Sequence, residues 1–149
     1  MKTKAQGFTL IELIVTITLV CILCGMVIPL ARHAAQREKE RVLCTNLQTL
    51  RDAIDRYQEG SMAGKFFKAP SYGYPPDLQA LVNPIELSGG KKLRLLKEIP
   101  IDPMTGNRDW GVHSMDDDLD SDDWDGGQVW DVYSRSQGTG LNGIKYRNW

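Results

Sequence analysis

The sequence predicts an α+β protein in which a long N-terminal helix, its first half transmembrane, packs on a small antiparallel β-sheet. Three observations carry this. The stretch GFTLIELIVTITLVCILCGMVIPLA, from Gly7 to Ala31, contains a single charge, Glu12. Beyond it Leu43, Leu47, Leu50, Ile54 and Tyr57 recur at helical spacing, the stripe of an amphipathic helix. After Gly60 the pattern breaks into short runs bounded by glycine and proline, two of them strand-like.

With 149 residues the chain has room for one modest domain plus an anchor. The net charge of −1 points to no nucleic-acid partner. Charge is unevenly placed: Lys2 and Lys4 precede the apolar segment, residues 32–51 are densely mixed, and residues 116–125 are acidic. Cys21, Cys24 and Cys44 all lie in the N-terminal third, so core packing, with or without a metal, must hold the C-terminal half. Cys21-x-x-Cys24 has redox or zinc spacing, but its surroundings are apolar, and it reads as two small side chains in a membrane helix.

Phe8 to Ala31 is 24 residues, and a bilayer crossing needs about 20. Lys2 and Lys4 place the N-terminus in the cytoplasm and the rest of the chain outside. A secretory signal is the competing reading. The run is long for one, and no clear small-residue cleavage site follows, although Ala31 and Ala34 are loosely compatible. Glu12 fits neither simple reading. A carboxylate deep in a membrane helix costs about 3 kcal/mol on insertion scales, which makes it a functional candidate by default. Near a helix start the macrodipole lowers that cost, and solvation by headgroups is the plainer alternative.

The helical pattern continues past Ala31, with Arg51, Asp52, Asp55 and Arg56 on the faces the stripe leaves free and no strong breaker until Gly60. A helix from Phe8 to Glu59 is about 78 Å long at the α-helical rise. Gly25 and Pro29 are expected to bend or loosen it. In the head, residues 60–73 read as a loop and residues 74–82 as a proline-started short helix. Residues 83–92 read as a loop with Gly89-Gly90, and residues 93–97 as a helical turn ended by Pro100 and Pro103. Residues 110–114 and 128–134 are the best strands, separated by the acidic segment, and Trp130 and Val132 alternate with Asp131 and Tyr133 as on a half-covered sheet. A last strand is expected over residues 145–149.

The string Gly7-Phe8-Thr9-Leu10-Ile11-Glu12, following a short basic and polar start, resembles the processing signature of type IV prepilins and of the pseudopilins of type II secretion. The resemblance implies that a membrane-embedded prepilin peptidase cuts between Gly7 and Phe8 on the cytoplasmic side. It further implies that Phe8 is N-methylated and that the apolar helix stays in the mature protein. Glu12 then gains a partner, because the freed α-amine of Phe8 is a cation at the end of the same helix. In a filament, Glu12 of one subunit can pair with Phe8 of a neighbour; two buried charges, each costly alone, become tolerable when paired and set the register. The implied organisation is a leader over residues 1–7, a transmembrane and filament-core helix over 8–31, its amphipathic continuation over 32–59, and a pilin-like globular head over 60–149. Arg32, Arg37, Glu38, Lys39, Glu40 and Arg41 lie ahead of the stripe. They read either as a solvated face or as charge that interlocks neighbouring subunits.

The likeness extends through residues 50–57, Tyr74-Pro75 with residues 78–82, residues 99–103 with Gly106-Asn107, residues 131–134 and Asn148-Trp149. Together these resemble the major pseudopilins, the G-type subunits of type II secretion. The lack of a C-terminal cysteine pair separates the chain from a typical type IVa adhesion pilin. There is also a departure. Major pseudopilins carry a calcium loop after the strand corresponding to residues 131–134, and here residues 135–145 hold no acid. The acids come earlier, at Asp116, Asp117, Asp118, Asp120, Asp122, Asp123 and Asp125. Clustered carboxylates repel one another, and calcium with several oxygen ligands relieves this; these seven are the candidate ligands, with a solvated or disordered loop as the alternative. An EF-hand is rejected, because its sixth position is Asp123 rather than glycine and its twelfth is Val129 rather than glutamate.

No nucleophile elbow, phosphate loop or zinc-ligand set is present, and His33 and His113 are the only histidines. His113 and Ser114 are neighbours on a strand candidate and point to opposite faces. The reading is therefore not an enzyme. It is a structural subunit that polymerises into the periplasmic pseudopilus of a type II secretion system. A type IV pilus or competence-filament subunit is the first alternative, and a membrane-anchored calcium-binding module the second. The expected partners are further copies of the chain, the prepilin peptidase, the inner-membrane assembly platform and the minor pseudopilins. The expected location is the bacterial inner membrane, single-pass, with the N-terminus cytoplasmic and the head periplasmic.

Overall fold

Helical periodicity produces one long helix, Leu10–Met62, and every element after it among the described residues is short. The computed structural model describes residues 7–66, 72–115, 124 and 126–149, with backbone alone at residues 26–29. In chain order the elements are α1 (Leu10–Met62), α2 (Gln79–Val82), β1 (Ile85–Glu86), β2 (Lys92–Leu93), β3 (Gly111–His113), β4 (Asp131–Tyr133) and a 3-10 turn (Tyr146–Asn148). Contacts divide the chain into two units, Met1–Glu38 and Lys39–Trp149.

In the first unit α1 is long and apolar enough to cross a membrane, and none of its apolar window is buried. Its hydroxyls are turned inward. Thr16 Oγ1 donates to the Leu13 carbonyl at 2.9 Å and Thr18 Oγ1 to the Ile14 carbonyl at 2.8 Å, so neither hydroxyl leaves an unpaired donor on the apolar helix surface. The bend expected at Gly25 and Pro29 falls at residues 26–29, whose side chains lie outside the described residues.

In the second unit the stripe of α1 does what its spacing predicts. Leu43, Leu50 and Ile54 are fully buried, and Leu47 and Tyr57 nearly so. They meet Phe66, Leu81, Trp110, Val129, Val132 and Tyr146 in one core, where each fully buried large apolar side chain contributes about 1.5–3 kcal/mol. Burial, and then the Asp77 carboxylate, push the Tyr57 phenol above its ordinary pKa, so it stays neutral.

Gly60 does not end the helix. The terminator is Gly64, in the left-handed region at φ 64°, with the Lys65 amide donating to the Gly60 carbonyl and the Gly64 amide to the Ser61 carbonyl, both at 3.0 Å. That pair of bonds is a Schellman cap. Gly60 is required for space instead: a Cβ there would stand 2.5 Å from the Phe66 ring.

Among the described residues the sheet is two separate two-stranded pieces, β1 with β2 and β3 with β4, both antiparallel. The β1–β2 hairpin forms where a loop and a helical turn were expected. Gly90 at φ 75° lets the chain reverse, and the Leu87 amide closes the turn on the Lys91 carbonyl at 2.9 Å. Strands β3 and β4 lie inside the expected runs. Burial on β4 departs from simple alternation, with Trp130 41% exposed and Val132 and Tyr133 both buried. Tyr133 is covered because His113 stacks on its ring at 4.5 Å. The expected last strand is a 3-10 turn instead. Only Lys145 bridges, to Thr139, and the chain then turns so that Tyr146 enters the core and meets Trp149 edge-on. The expected helix over residues 74–82 is shortened to α2, whose Ala80 amide donates to Asp77 Oδ1 at 2.7 Å.

Three polar side chains of α1 tie these pieces down. Asn46 Nδ2 donates to the Ile101 carbonyl at 2.9 Å. Glu40 Oε1 accepts from the Leu141 amide and the Tyr146 hydroxyl, each at 2.9 Å. Arg51 reaches furthest: Nε and Nη2 hold the two Asp131 carboxylate oxygens at 2.7 and 3.1 Å, and Nη2 also donates to the Val132 and Trp149 main-chain oxygens. Arg51→Ala removes this fork and leaves a half-buried Asp131 without its partner. The expected loss is about 2 kcal/mol, read as a fall in Tm of about 5–10 °C. Arg51→Lys is expected to recover only part of it, because an ammonium cannot serve both carboxylate oxygens and two carbonyls.

Candidate functional site

The site that the sequence singles out lies at the start of α1. Gly7 and Phe8 precede the helix; Phe8 is 77% exposed, and a Cβ on Gly7 would meet nothing. Gly7-Phe8 is therefore an open peptide bond that a peptidase could approach. Thr9 starts the helix: the Glu12 amide donates to Thr9 Oγ1 at 3.3 Å and the Leu13 amide to the Thr9 carbonyl at 3.1 Å. Thr9 is thus the N-cap and Glu12 the third helical residue, the T-x-x-E pattern of a capping box. The reading from sequence missed Thr9, although the three-residue spacing to Glu12 was the available signal.

This cap has two consequences. It places Glu12 in the first turn, where exposed amide groups and the macrodipole favour a carboxylate. It also leaves Phe8 just outside the helix, at the same end as Glu12. Glu12 itself is exposed, among exposed Leu10, Ile11, Leu13 and Ile14. Glu12 is thus a lone carboxyl side chain on an exposed apolar helix surface, a placement that is costly in hydrocarbon without a partner.

Other expected sites resolve differently. Of the charged residues ahead of the stripe, Glu40 is used within its own head, on Leu141 and Tyr146. Asp116, Asp117, Asp118, Asp120, Asp122, Asp123 and Asp125 all lie outside the described residues; among the described residues no group of three or more His, Cys, Asp or Glu side chains could hold a metal. Cys21 and Cys24 are exposed on α1 as free thiols. The His113 ring is occupied by its stack on Tyr133, and His113 and Ser114 are both buried.

Residues 2–28 match the family model described as the prokaryotic N-terminal methylation motif. No curated protein and no solved structure matches the chain. The motif belongs to proteins that are structural rather than catalytic, and it covers Gly7, Phe8 and Glu12 together with the first part of the apolar helix. With the long apolar α1 and the small antiparallel sheets, this match supports a type IV pilin-like family for the chain.

Proposed function

We propose that this protein is a structural subunit of the periplasmic pseudopilus of a type II secretion system. In this reading it is cleaved at Gly7-Phe8, N-methylated on Phe8, held in the inner membrane by α1, and polymerised by pairing Glu12 with the Phe8 amine of a neighbour. The observation that carries the proposal is the methylation motif seated on an exposed apolar helix whose first turn contains Glu12. The choice of a secretion pseudopilus over a surface pilus rests on the resemblance of residues 50–57, 74–82, 99–107 and 131–134 to major pseudopilins. Mechanistically the subunit does no covalent chemistry. It is extracted from lipid into a helical bundle, where apolar contact replaces lipid contact and the charge pair selects the axial register.

Two measurements check this. The intact mass of the chain purified from membranes containing a prepilin peptidase is expected to match a protein beginning at N-methylated Phe8 and lacking residues 1–7. An unprocessed mass overturns the cleavage assignment. Deletion of the gene is expected to stop export of folded proteins while leaving surface filaments intact. The opposite pattern makes the chain a pilus subunit.

Calcium is part of the proposal on separate grounds, the repulsion among seven aspartates within residues 116–125. Calorimetry of the detergent-solubilised full chain is expected to show a Tm higher by several degrees in millimolar calcium than in chelator, by mass action on the folded state. Equal Tm values in the two remove the metal.

A further inference from the structure

We propose that the turn at residues 140–145 is a lipid-contacting tip. Leu141 and Ile144 enter the interfacial layer of the membrane that holds α1, and Lys39 and Lys145 meet its anionic headgroups. The inference rests on the membrane reading above and gives the unassembled subunit a second contact with the bilayer.

Turns are ordinarily built from glycine and small polar residues, and this one is built to present large apolar ones. The Gly140 amide donates to the Ile144 carbonyl at 2.8 Å and the Gly143 amide to the Gly140 carbonyl at 2.9 Å. The Ile144 amide donates to Asn142 Oδ1 at 3.0 Å, and Gly143 supplies the left-handed residue at φ 80°. Thr139 and Lys145 bridge at the base of the turn. Glu40 then ties it to α1, accepting from the Leu141 amide and the Tyr146 hydroxyl. The backbone is held at every side, yet residues 141–145 are all exposed, Leu141 by 42% and Ile144 by 48%. A protruding turn already fixed in shape loses little freedom when it meets a partner.

Area and charge choose lipid as that partner. A stable contact between two proteins needs about 1,000 Å² or more, and two side chains on one short turn supply a small part of it. Insertion into a membrane interface has no such threshold, because each buried apolar side chain adds its own share. The charge around the turn has one sign. Residues 135–149 contain no acid, and the Glu40 carboxylate is already engaged by the turn itself. Lys39 precedes Glu40 and Lys145 follows Ile144; both are exposed, and among the described residues neither side chain makes an ion pair. Ammonium groups on long apolar stems suit a surface of anionic headgroups over hydrocarbon. Glu40 also lies only nine residues beyond Ala31, where the apolar run ends, so the turn is tied to the chain close to where it leaves the span.

Single-cysteine labelling tests the contact. The full chain, with Cys21→Ser, Cys24→Ser and Cys44→Ser, is reconstituted in vesicles of phosphatidylethanolamine and phosphatidylglycerol. A fluorescent label is placed in turn at Ile144→Cys, at Glu86→Cys on β1, and at Val20→Cys in the apolar helix. Brominated lipid is expected to quench the labels at residues 144 and 20 by about half or more, and the label at residue 86 hardly at all. Adding Lys39→Glu, Leu141→Ser and Lys145→Glu is expected to lower the quenching at residue 144 about threefold. All three positions are exposed, so the variant is expected to melt close to wild type; if it does not, Leu141→Ser alone replaces it.

Quenching at residue 144 no greater than at residue 86 overturns the proposal. So does quenching at residue 144 that the added substitutions leave unchanged, since the label then inserts by itself. Protection of residue 144 from aqueous iodide that rises with the protein-to-lipid ratio, without quenching by lipid, gives the turn to a second copy and overturns it too. The label at residue 20 separates the two readings. Left unquenched, it overturns the membrane reading and this inference with it, whereas quenching at residue 20 without quenching at residue 144 overturns this inference alone.

Discussion

Glu12→Ala is expected to abolish filament formation while leaving the chain in the membrane, processed at Gly7 and folded. In the isolated subunit Glu12 is exposed, and its own amide, rather than its side chain, makes the bond to Thr9. Removing the carboxylate therefore costs the fold little. In the polymer the Phe8 amine of the neighbour would be left in an apolar bundle without its counter-charge, at about 3–5 kcal/mol per contact. The cost recurs at every subunit, so it blocks growth rather than slowing it. Sheared filaments are expected to vanish, while the head melts within about 1 °C of wild type, as surface changes usually do. Glu12→Gln is expected to fail almost as completely, because it keeps the shape and loses the charge. Filaments in wild-type amounts from Glu12→Ala would show that the register is set by something other than this pair.

Asp102→Ala is expected to give the largest loss of stability in the head. Asp102 is fully buried, and its carboxylate accepts from the Ser134 hydroxyl at 2.6 Å and the Met104 amide at 2.8 Å. Its backbone exchanges bonds with Asn107 and Gly106 across the same turn, each at 2.8 Å. Truncation leaves the buried Ser134 hydroxyl without its acceptor and the part-buried Met104 amide without a partner, and opens a small void, together about 3–4 kcal/mol. For a unit of this size that lowers Tm by about 10–15 °C, measured by circular dichroism on the detergent-solubilised chain. Asp102→Asn is expected to cost less, since its carbonyl can still accept one of the two bonds. A loss from Asp102→Ala no larger than that from Arg51→Ala would show that the turn is held by its backbone alone.

The two residues differ in how far they could be read from sequence. Glu12 announces itself, because a lone charge in an apolar run is anomalous on any reading. Asp102 sits in the Ile-Asp-Pro run of residues 99–103, which carries part of the family resemblance, but nothing local marks it as buried beneath a serine thirty-two residues on. Gly60 shows the converse. Its residue type predicts a breaker, because glycine lowers helix propensity by about 1 kcal/mol, yet the ring of Phe66 needs the space and the helix runs on to a cap at Gly64. Strands β1 and β2, two residues each, are too short for alternation to signal them.

By itself the sequence determined the N-terminal methylation motif, the apolar stretch and the core-facing stripe of α1. Each is a local pattern, a motif or a periodicity in which neighbours in the chain are neighbours in space. Only the tertiary structure decided that Arg51 grips Asp131 and Trp149, that Glu40 holds the C-terminal loop, and that the chain ends in a turn rather than a strand. Those bonds join residues eighty to more than one hundred positions apart. Which donor meets which acceptor across such a distance is settled when the core closes on α1, and not by the residues on either side.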